Sequence, residues 1–520
     1  MAAGGLAVRL PALGKRPMHA DEAVQARRFR DLWLCNRYRY DPHEYHGPTL
    51  PYATLPFFWL AGPTRFADTT EAMFRVVPVF FGAGLILLLG LVADALGKPA
   101  TLCAAALAAI SPAMVFYSRY YIHETLLVFF TLAAIGSVWR YLRTGRLRWC
   151  VAGGGCVGLM QATKETCVLV YASAAVAVGL AAIWSRGRVS PAASGAAAPV
   201  PPAARQEGRR PWPAWHGGCA AAAAILVAAV LLSSWGAHPR GAWDGLRAYA
   251  PWLRRAAGHS AHAHPWYFYL RILACWRSDH GPLWSEGLIL GLAAIGGLVA
   301  FLPTASRSGG KDFFARWAAL YPVLLGAAYS AIPYKTPWCL LGFLHGMTLP
   351  AGLGAVAIVR AAPGRFLKGL AVAGLLAAAG QLAWQSYRAS YVLCADPRNP
   401  YVYAQTLPDT ERLARDVQQL SQASREGDSL AVKVIWKDSY YWPLPWYLRR
   451  FGNVEYWTRM PGEPSAPLVI ASPEFDAPLT ETLDATHLMT GYYAVRPNVL
   501  AQLWVRMDVW ESHLRRLGRL

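Results

Sequence analysis

From residue 72 to residue 389 the chain alternates long apolar runs with short polar or Arg-rich breaks. Ten runs stand out, at 72–93, 100–117, 124–142, 149–163, 165–184, 217–236, 285–303, 314–332, 338–359 and 367–387. Each is close to the ~20 residues that a helix needs to cross the hydrocarbon of a bilayer. A backbone in lipid has to satisfy its own hydrogen bonds, so helix is the economical assignment for all ten. Segment 265–276 is aromatic but too short to cross, and is predicted to be an interfacial helix. Beyond residue 390 the pattern changes. Thr406-Leu-Pro-Asp409 opens a predicted helix to about 421, Ser429–Trp436 reads as a strand, 440–451 as a helix, and 467–471 (Pro-Leu-Val-Ile-Ala) as a buried strand. Strand alternating with helix predicts a small α/β layer. The expected fold class is therefore an all-α polytopic membrane domain over 1–389 and a soluble α/β domain over 390–520.

Composition agrees with lipid as the solvent. Only 15% of the 520 residues are charged and 55% are hydrophobic, where soluble chains carry about 25% charged residues. A net charge of +20 raises the question of nucleic acid, but no nucleic-acid-binding module is visible. Arg-rich loops beside anionic lipid account for it more simply, which makes the bilayer the first partner. The nine cysteines form no CxxC pair and most lie in or beside apolar runs, so neither a zinc ribbon nor a disulfide framework is expected.

Lys and Arg fix an orientation. Arg140, Arg143, Arg146 and Arg148; Arg186, Arg188, Arg205, Arg209 and Arg210; Arg307, Lys311 and Arg316; and Arg360, Arg365 and Lys368 occupy every second loop. By the positive-inside rule those loops are cytoplasmic, and the Ala/Pro-rich stretch 189–214 becomes a low-complexity cytoplasmic linker. The first loop 15–71, the junctions 118–123, 163–165 and 333–337, the segment 237–284 and the tail then lie outside. A multi-pass protein of the cytoplasmic membrane with an extracytoplasmic C-terminal domain is expected. That alternation asks for one more helix before residue 15. Only Ala2–Leu13 is available, short and carrying Arg9 and Pro11. The first helix is read as truncated here, giving about 10–11 in all; the alternative is a chain that begins outside.

Five polar features converge on the outer face: Asp21-Glu22, Tyr45-His46-Gly47-Pro48, Arg119-Tyr-Tyr-Ile-His123-Glu124, Thr163-Lys164-Glu165-Thr166 and Tyr334-Lys335-Thr336-Pro337-Trp338. Each has a bland reading. Asp21 is equally a cap for a helix beginning at Ala23. Arg119 and Lys164 read also as snorkelling side chains, less comfortably on the outer side where short loops disfavour positive residues, and His123-Glu124 and Lys164-Glu165 as local ion pairs of little worth if exposed. The aromatic residues of the tail suit carbohydrate stacking or, more simply, a belt against the membrane portion. Arrival at one membrane face is the stronger signal. A lipid phosphate presents its headgroup at that interface, where cations can hold the phosphate as it leaves and a carboxylate can take the proton from an incoming hydroxyl. The product is a glycoside, formed with inversion if one base acts. The first loop, with predicted interfacial helices around 22–34 and 49–61, roofs the cleft.

In combination, Asp21-Glu22-Ala-Val, Tyr40-Asp-Pro…Tyr45-His-Gly-Pro, Arg119-Tyr-Tyr-Ile-His-Glu, Ala162-Thr-Lys-Glu, Tyr334-Lys-Thr-Pro-Trp and Trp442-Pro-Leu-Pro-Trp-Tyr-Leu-Arg resemble the GT-C membrane glycosyltransferases. That superfamily includes protein O-mannosyltransferases and lipid A aminoarabinose transferases. The nearest likeness is to flippase-activity-associated, mannosyltransferase-like membrane proteins of bacteria and archaea, and it runs over most of the chain. The resemblance implies a polyprenyl-phosphate-linked sugar donor and an acceptor hydroxyl. It gives Asp21 the part of general base, with Glu22 supporting or substituting. Arg119, Lys164 and Lys335 would face the donor phosphate; His46, His123, Glu124, Glu165 and Tyr334 would meet sugar or acceptor. No cofactor or metal is expected, since the cations can do the phosphate work, and His262 with His264 alone falls short of a metal site; a divalent ion stays an alternative. Translocation of lipid-linked sugars and a non-catalytic scaffold are the competing readings. Transporters bind near mid-depth in repeated halves, and these spans are nearly free of charge there, with no internal repeat.

Overall fold

The computed structural model describes residues 1–36, 38–43, 46–186, 213–257, 262–278, 280–302 and 309–520. All ten apolar runs are helical. Glu71–Leu96, Glu124–Thr144, Cys167–Ser185, Ala214–Leu232, Pro337–Ala361 and Gly364–Val392 are long and apolar enough to cross a membrane, and Lys98–Ile110 and Gly287–Phe301 are shorter apolar helices. The chain is a multi-pass membrane protein. Leu147–Gln161 and Gly309–Ala331 complete the bundle. The run at 100–117 is split. Pro112 has no N–H with which to continue the first helix, and the Ser111 hydroxyl caps a second short one, Pro112–Tyr117. Residues 189–212 of the expected linker, and Tyr45, lie outside the described residues.

Small residues set close helix contacts. A Cβ on Gly154 would meet the Ala220 carbonyl oxygen at 2.1 Å and one on Gly158 the Ala224 oxygen at 2.4 Å. In lipid, where apolar surface gives helices no hydrophobic reason to associate, such close backbone approach is what holds a pair together.

The first loop folds as two helices, Ala20–Cys35 and Thr49–Ala61, close to those expected; Phe268–Ala274 forms the short helix of the 265–276 segment. The tail opens with the helix Asp409–Ala423 and builds one five-stranded sheet. Its strands are β1 (Val432–Ile435), β2 (Val454–Trp457), β3 (Leu468–Ala471), β4 (His487–Arg496) and β5 (Val499–Arg506), in the order β2-β1-β3-β5-β4. β1 pairs parallel with β2 and β3, and β5 runs antiparallel between β3 and β4. Central β3 is buried on both faces, as its unbroken apolar sequence requires. Leu468 and Ile470 pack with Leu413 and Val417 of the tail's first helix, while Val469 and Ala471 pack with Leu479 and Leu483 on the other side. In place of the helix expected over 440–451 there is one turn, Leu444–Tyr447, because Pro443 and Pro445 withhold two of the N–H groups a helix would use.

The tail is docked. Thr406 Oγ1 donates to Met18 O (2.6 Å), Met18 N donates to the Tyr447 hydroxyl (2.9 Å), and Trp446 Nε1 donates to Glu71 Oε1 (2.7 Å). Trp446 itself joins the membrane core beside Phe66 and Phe74. The first loop and the tail therefore share one end of the bundle.

Candidate active site

Asp21 and Glu22 are consecutive, and the start of their helix sends them to different places. The helix begins at Ala20 with His19 as its N-cap, three residues before the start that would have made Asp21 the cap. His19 Nδ1 accepts from Asp21 N (3.1 Å), which puts the ring proton on Nε2, where it donates to Tyr403 O (3.0 Å). Asp21 is left exposed in the first turn, where free N–H groups favour an anion. Its carboxylate has no hydrogen-bond or ion-pair partner among the described residues.

Glu22 is fully buried. Arg75 grips it with Nε on Oε1 (2.8 Å) and Nη2 on Oε2 (2.6 Å), Arg16 Nη2 adds a third bond (3.1 Å), and the backbone N–H groups of His19 (3.0 Å) and Tyr121 (2.9 Å) complete its shell. Burial pushes its carboxyl up, but the two guanidiniums and these bonds win and hold it far below the usual carboxylate range. Glu22 ties the first loop to the bundle and does not reach the cavity that Asp21 lines.

That cavity holds about 540 Å³. Asp21, His46, His123, Glu124, Lys164 and Tyr334 all line it, and so do Gln25, Arg255, Trp338 and Trp442. Lys164 and Glu124 form a short buried ion pair at its floor. Burial alone would lower the Lys164 ammonium's pKa, but the Glu124 carboxylate outweighs it and raises the value. Glu165 stands behind the wall. Its Oε1 accepts from His46 N (2.9 Å) and the Tyr40 hydroxyl (3.1 Å), and its Oε2 meets His46 Nδ1 (3.2 Å). Gly47 explains how the loop reaches this junction. Its N–H donates to Thr163 O (2.9 Å), and a Cβ there would stand 1.9 Å from the Ala162 oxygen, so a side chain cannot fit. His123 Nε2 donates to Gly47 O (3.0 Å); burial first, then His46 and Lys164, push its pKa well below the ordinary imidazole value.

The remaining predicted cations point elsewhere. Arg119 Nη1 donates to Arg9 O (2.6 Å) and Pro11 O (2.7 Å), and its guanidinium lies 4.4 Å from the Tyr391 ring, so it anchors the N-terminal segment. Lys335 Nζ donates to His264 O (3.0 Å) and to Ile332 O, inside its own turn. Neither lines the cavity. Arg255 lines the cavity without being among the residues expected there, and its signal is a positive charge in a loop assigned to the outside. Arg496 is not among the residues expected near the site either, and it carries no signal in the sequence. Arg496 sits in β4, donates Nη2 to Tyr440 O (2.7 Å), and feels the Asp21 charge, although burial lowers its pKa overall. His262 Nδ1 lies 2.6 Å from the Tyr403 hydroxyl, and both feel Asp21 as well. Among the described residues no three His, Cys, Asp or Glu side chains gather in a way that would hold a metal.

A helical bundle with an α/β tail seated over its first loop is a GT-C-like fold. Residues 53–197 match the family of dolichyl-phosphate-mannose-protein mannosyltransferases. The structure is similar to ArnT from Cupriavidus metallidurans bound to undecaprenyl phosphate, at 13% identity and TM-score 0.63, covering 96% of each chain. It is also similar to the Archaeoglobus fulgidus oligosaccharyltransferase in its apo form, at 13% identity and TM-score 0.51, over 91% of this chain and 69% of that one. No curated protein matches the sequence.

Proposed function

We propose that this protein moves a sugar from a polyprenyl-phosphate-linked donor to an acceptor hydroxyl, at the outer face of the cytoplasmic membrane. One observation carries the reading: Asp21, a carboxylate without a hydrogen-bond or ion-pair partner among the described residues, lines the same cavity as the Lys164 ammonium and the Arg255 side chain. The likeness to a fold that in ArnT accompanies bound undecaprenyl phosphate supports the donor class. Asp21 takes the proton of the acceptor hydroxyl while that oxygen forms its bond to the anomeric carbon. The bond from that carbon to the phosphate oxygen breaks with inversion, and the polyprenyl phosphate leaves with its charge held by Lys164 and Arg255. Glu124 keeps Lys164 charged and aimed, while Glu165 fixes His46, which with His123 and Tyr334 borders the sugar or acceptor. Glu22, Arg119 and Lys335 act at one remove, by holding the backbone segments around the cavity.

The test is sugar release from radiolabelled polyprenyl-phosphate hexoses by full-length protein in lipid nanodiscs. Release by the wild type that vanishes in Asp21→Asn, with donor binding retained, supports the reading. Release that survives Asp21→Asn removes Asp21 as base, and absence of release from every donor offered with a crude acceptor extract removes the transferase.

A further inference from the structure

The first-loop helix has a second working face. At 100° per residue, Asp21, Val24 and Gln25 share one side and Ala23, Arg27 and Arg30 the other. The first set lines the cavity described above and the second lines another, of about 440 Å³, closed by Trp446, Arg449 and Tyr456 of the tail. The Arg449 guanidinium stacks 3.9 Å from the Trp446 ring and is fixed by Nη1 on Trp446 O (2.9 Å) and Nη2 on Thr69 O (2.7 Å). Its Nε is buried without a hydrogen-bond partner. Arg27 and Arg30 both act electrostatically on Tyr456. Arg27 has no hydrogen bond or ion pair among the described residues, and Arg30 has only a ring contact, 6.0 Å from Phe66.

No carboxylate lines this cavity. Asp68, on the same loop, is taken bidentately by Arg65 (2.9 and 2.8 Å), and Glu71 accepts the Trp446 indole. Glu71 and Asp68 act electrostatically on Arg449 from outside the cavity, and a phosphate between the three guanidiniums adds charge-assisted hydrogen bonds to groups that lack them, the Arg449 Nε among them. Guanidinium forks match phosphate oxygens. We propose that this cavity is a binding site for a phosphate or diphosphate group, separate from the Asp21 cavity, with Arg27, Arg30 and Arg449 as its ligands. A free phosphate compound and an anionic lipid headgroup present the same chemistry.

The test is residue-resolved arginine modification with phenylglyoxal, mapped by mass spectrometry on the full chain in phosphatidylcholine nanodiscs, with and without inorganic pyrophosphate. A parallel sample uses nanodiscs containing phosphatidylglycerol. At pyrophosphate about ten times its Kd, modification of Arg27 and Arg30 is expected to slow roughly tenfold, while Arg65, already paired with Asp68, keeps its rate. Protection by pyrophosphate assigns the site to a soluble phosphate group; protection only in the phosphatidylglycerol discs assigns it to a headgroup. No protection in either sample, or equal slowing at Arg65, overturns the proposal. The double variant Arg27→Gln, Arg30→Gln is expected to abolish pyrophosphate protection of Arg449, whereas Asp21→Asn leaves protection unchanged, so the outcome is independent of the transfer reaction.

Discussion

Asp21 and Glu22 carry the same functional group one residue apart, and their surroundings make them different instruments. Glu22 is saturated by two guanidiniums and two backbone N–H groups inside the protein. Asp21 lines a cavity and has no hydrogen-bond or ion-pair partner among the described residues. A carboxylate with every lone pair engaged can fix a loop but cannot accept a proton from a substrate. One left unsatisfied contributes little to folding and remains available for chemistry. The contrast also separates the cations: Arg75 and Arg16 are spent on Glu22, Arg119 on carbonyl oxygens, and Lys164 is paired with Glu124 in the lining of the cavity itself.

The sharpest way to break the comparison is Asp21→Asn. Loss of a general base is expected to lower the transfer rate about 10²–10⁴-fold with the melting temperature unchanged; a lowered melting temperature with normal turnover would invert the two roles. Glu22→Gln is expected to do the opposite, costing about 3–5 kcal/mol of stability because buried Arg75 and Arg16 lose their counter-charge, as read by thermal unfolding in nanodiscs. The same contrast has a pH signature. Because Glu22's carboxyl is depressed in the folded protein, its contribution is complete above the unfolded carboxylate value of ~4.3 and drains away as pH falls below it. Wild type should therefore lose its advantage over Glu22→Gln only in acid, and a difference that shrinks between pH 6 and 8 would refute the assignment.

Lys164→Met should raise the donor KM by about 10–100-fold, the worth of one hydrogen bond to a charged group, with a smaller effect on kcat; an unchanged KM would move the phosphate to Arg255. Gly47→Ala is the mildest probe. The added methyl forces the first loop off the Ala162 carbonyl, at a cost of about 1–3 kcal/mol, and should loosen His46 and His123 together. Acceptor saturation curves would register it, and identical curves would detach the loop from the acceptor side.

The membrane helices were legible because lipid permits few alternatives: a run of about 20 apolar residues has to satisfy its own backbone. The break at Ser111-Pro112 carried a signal too, in the proline. What spacing could not convey was direction. Arg119 and Lys164 sit in similar short motifs between helices, yet one points to Arg9 and Pro11, more than a hundred residues away, and the other to Glu124 at the cavity, 40 residues away. The β4–β5 hairpin was missed although Pro497-Asn498 marks its turn and Asn498 takes the left-handed conformation. Arg496, one residue before that turn, went unseen with it.

The docking bonds at Met18 also fix an order of assembly. Met18 is made long before its partners: Thr406 and Tyr447, which bind its carbonyl and N–H, follow 388 and 429 positions later. At ribosomal rates of about 5–20 residues per second that is a wait of roughly 20–80 s. Arg75 and Tyr121 arrive early enough to seize Glu22 and keep the loop near its place through that interval. The nascent protein thus carries an anchored but incomplete chamber until the tail is synthesised, and a ribosome that stops before Tyr403 leaves the ring of His19 without its acceptor.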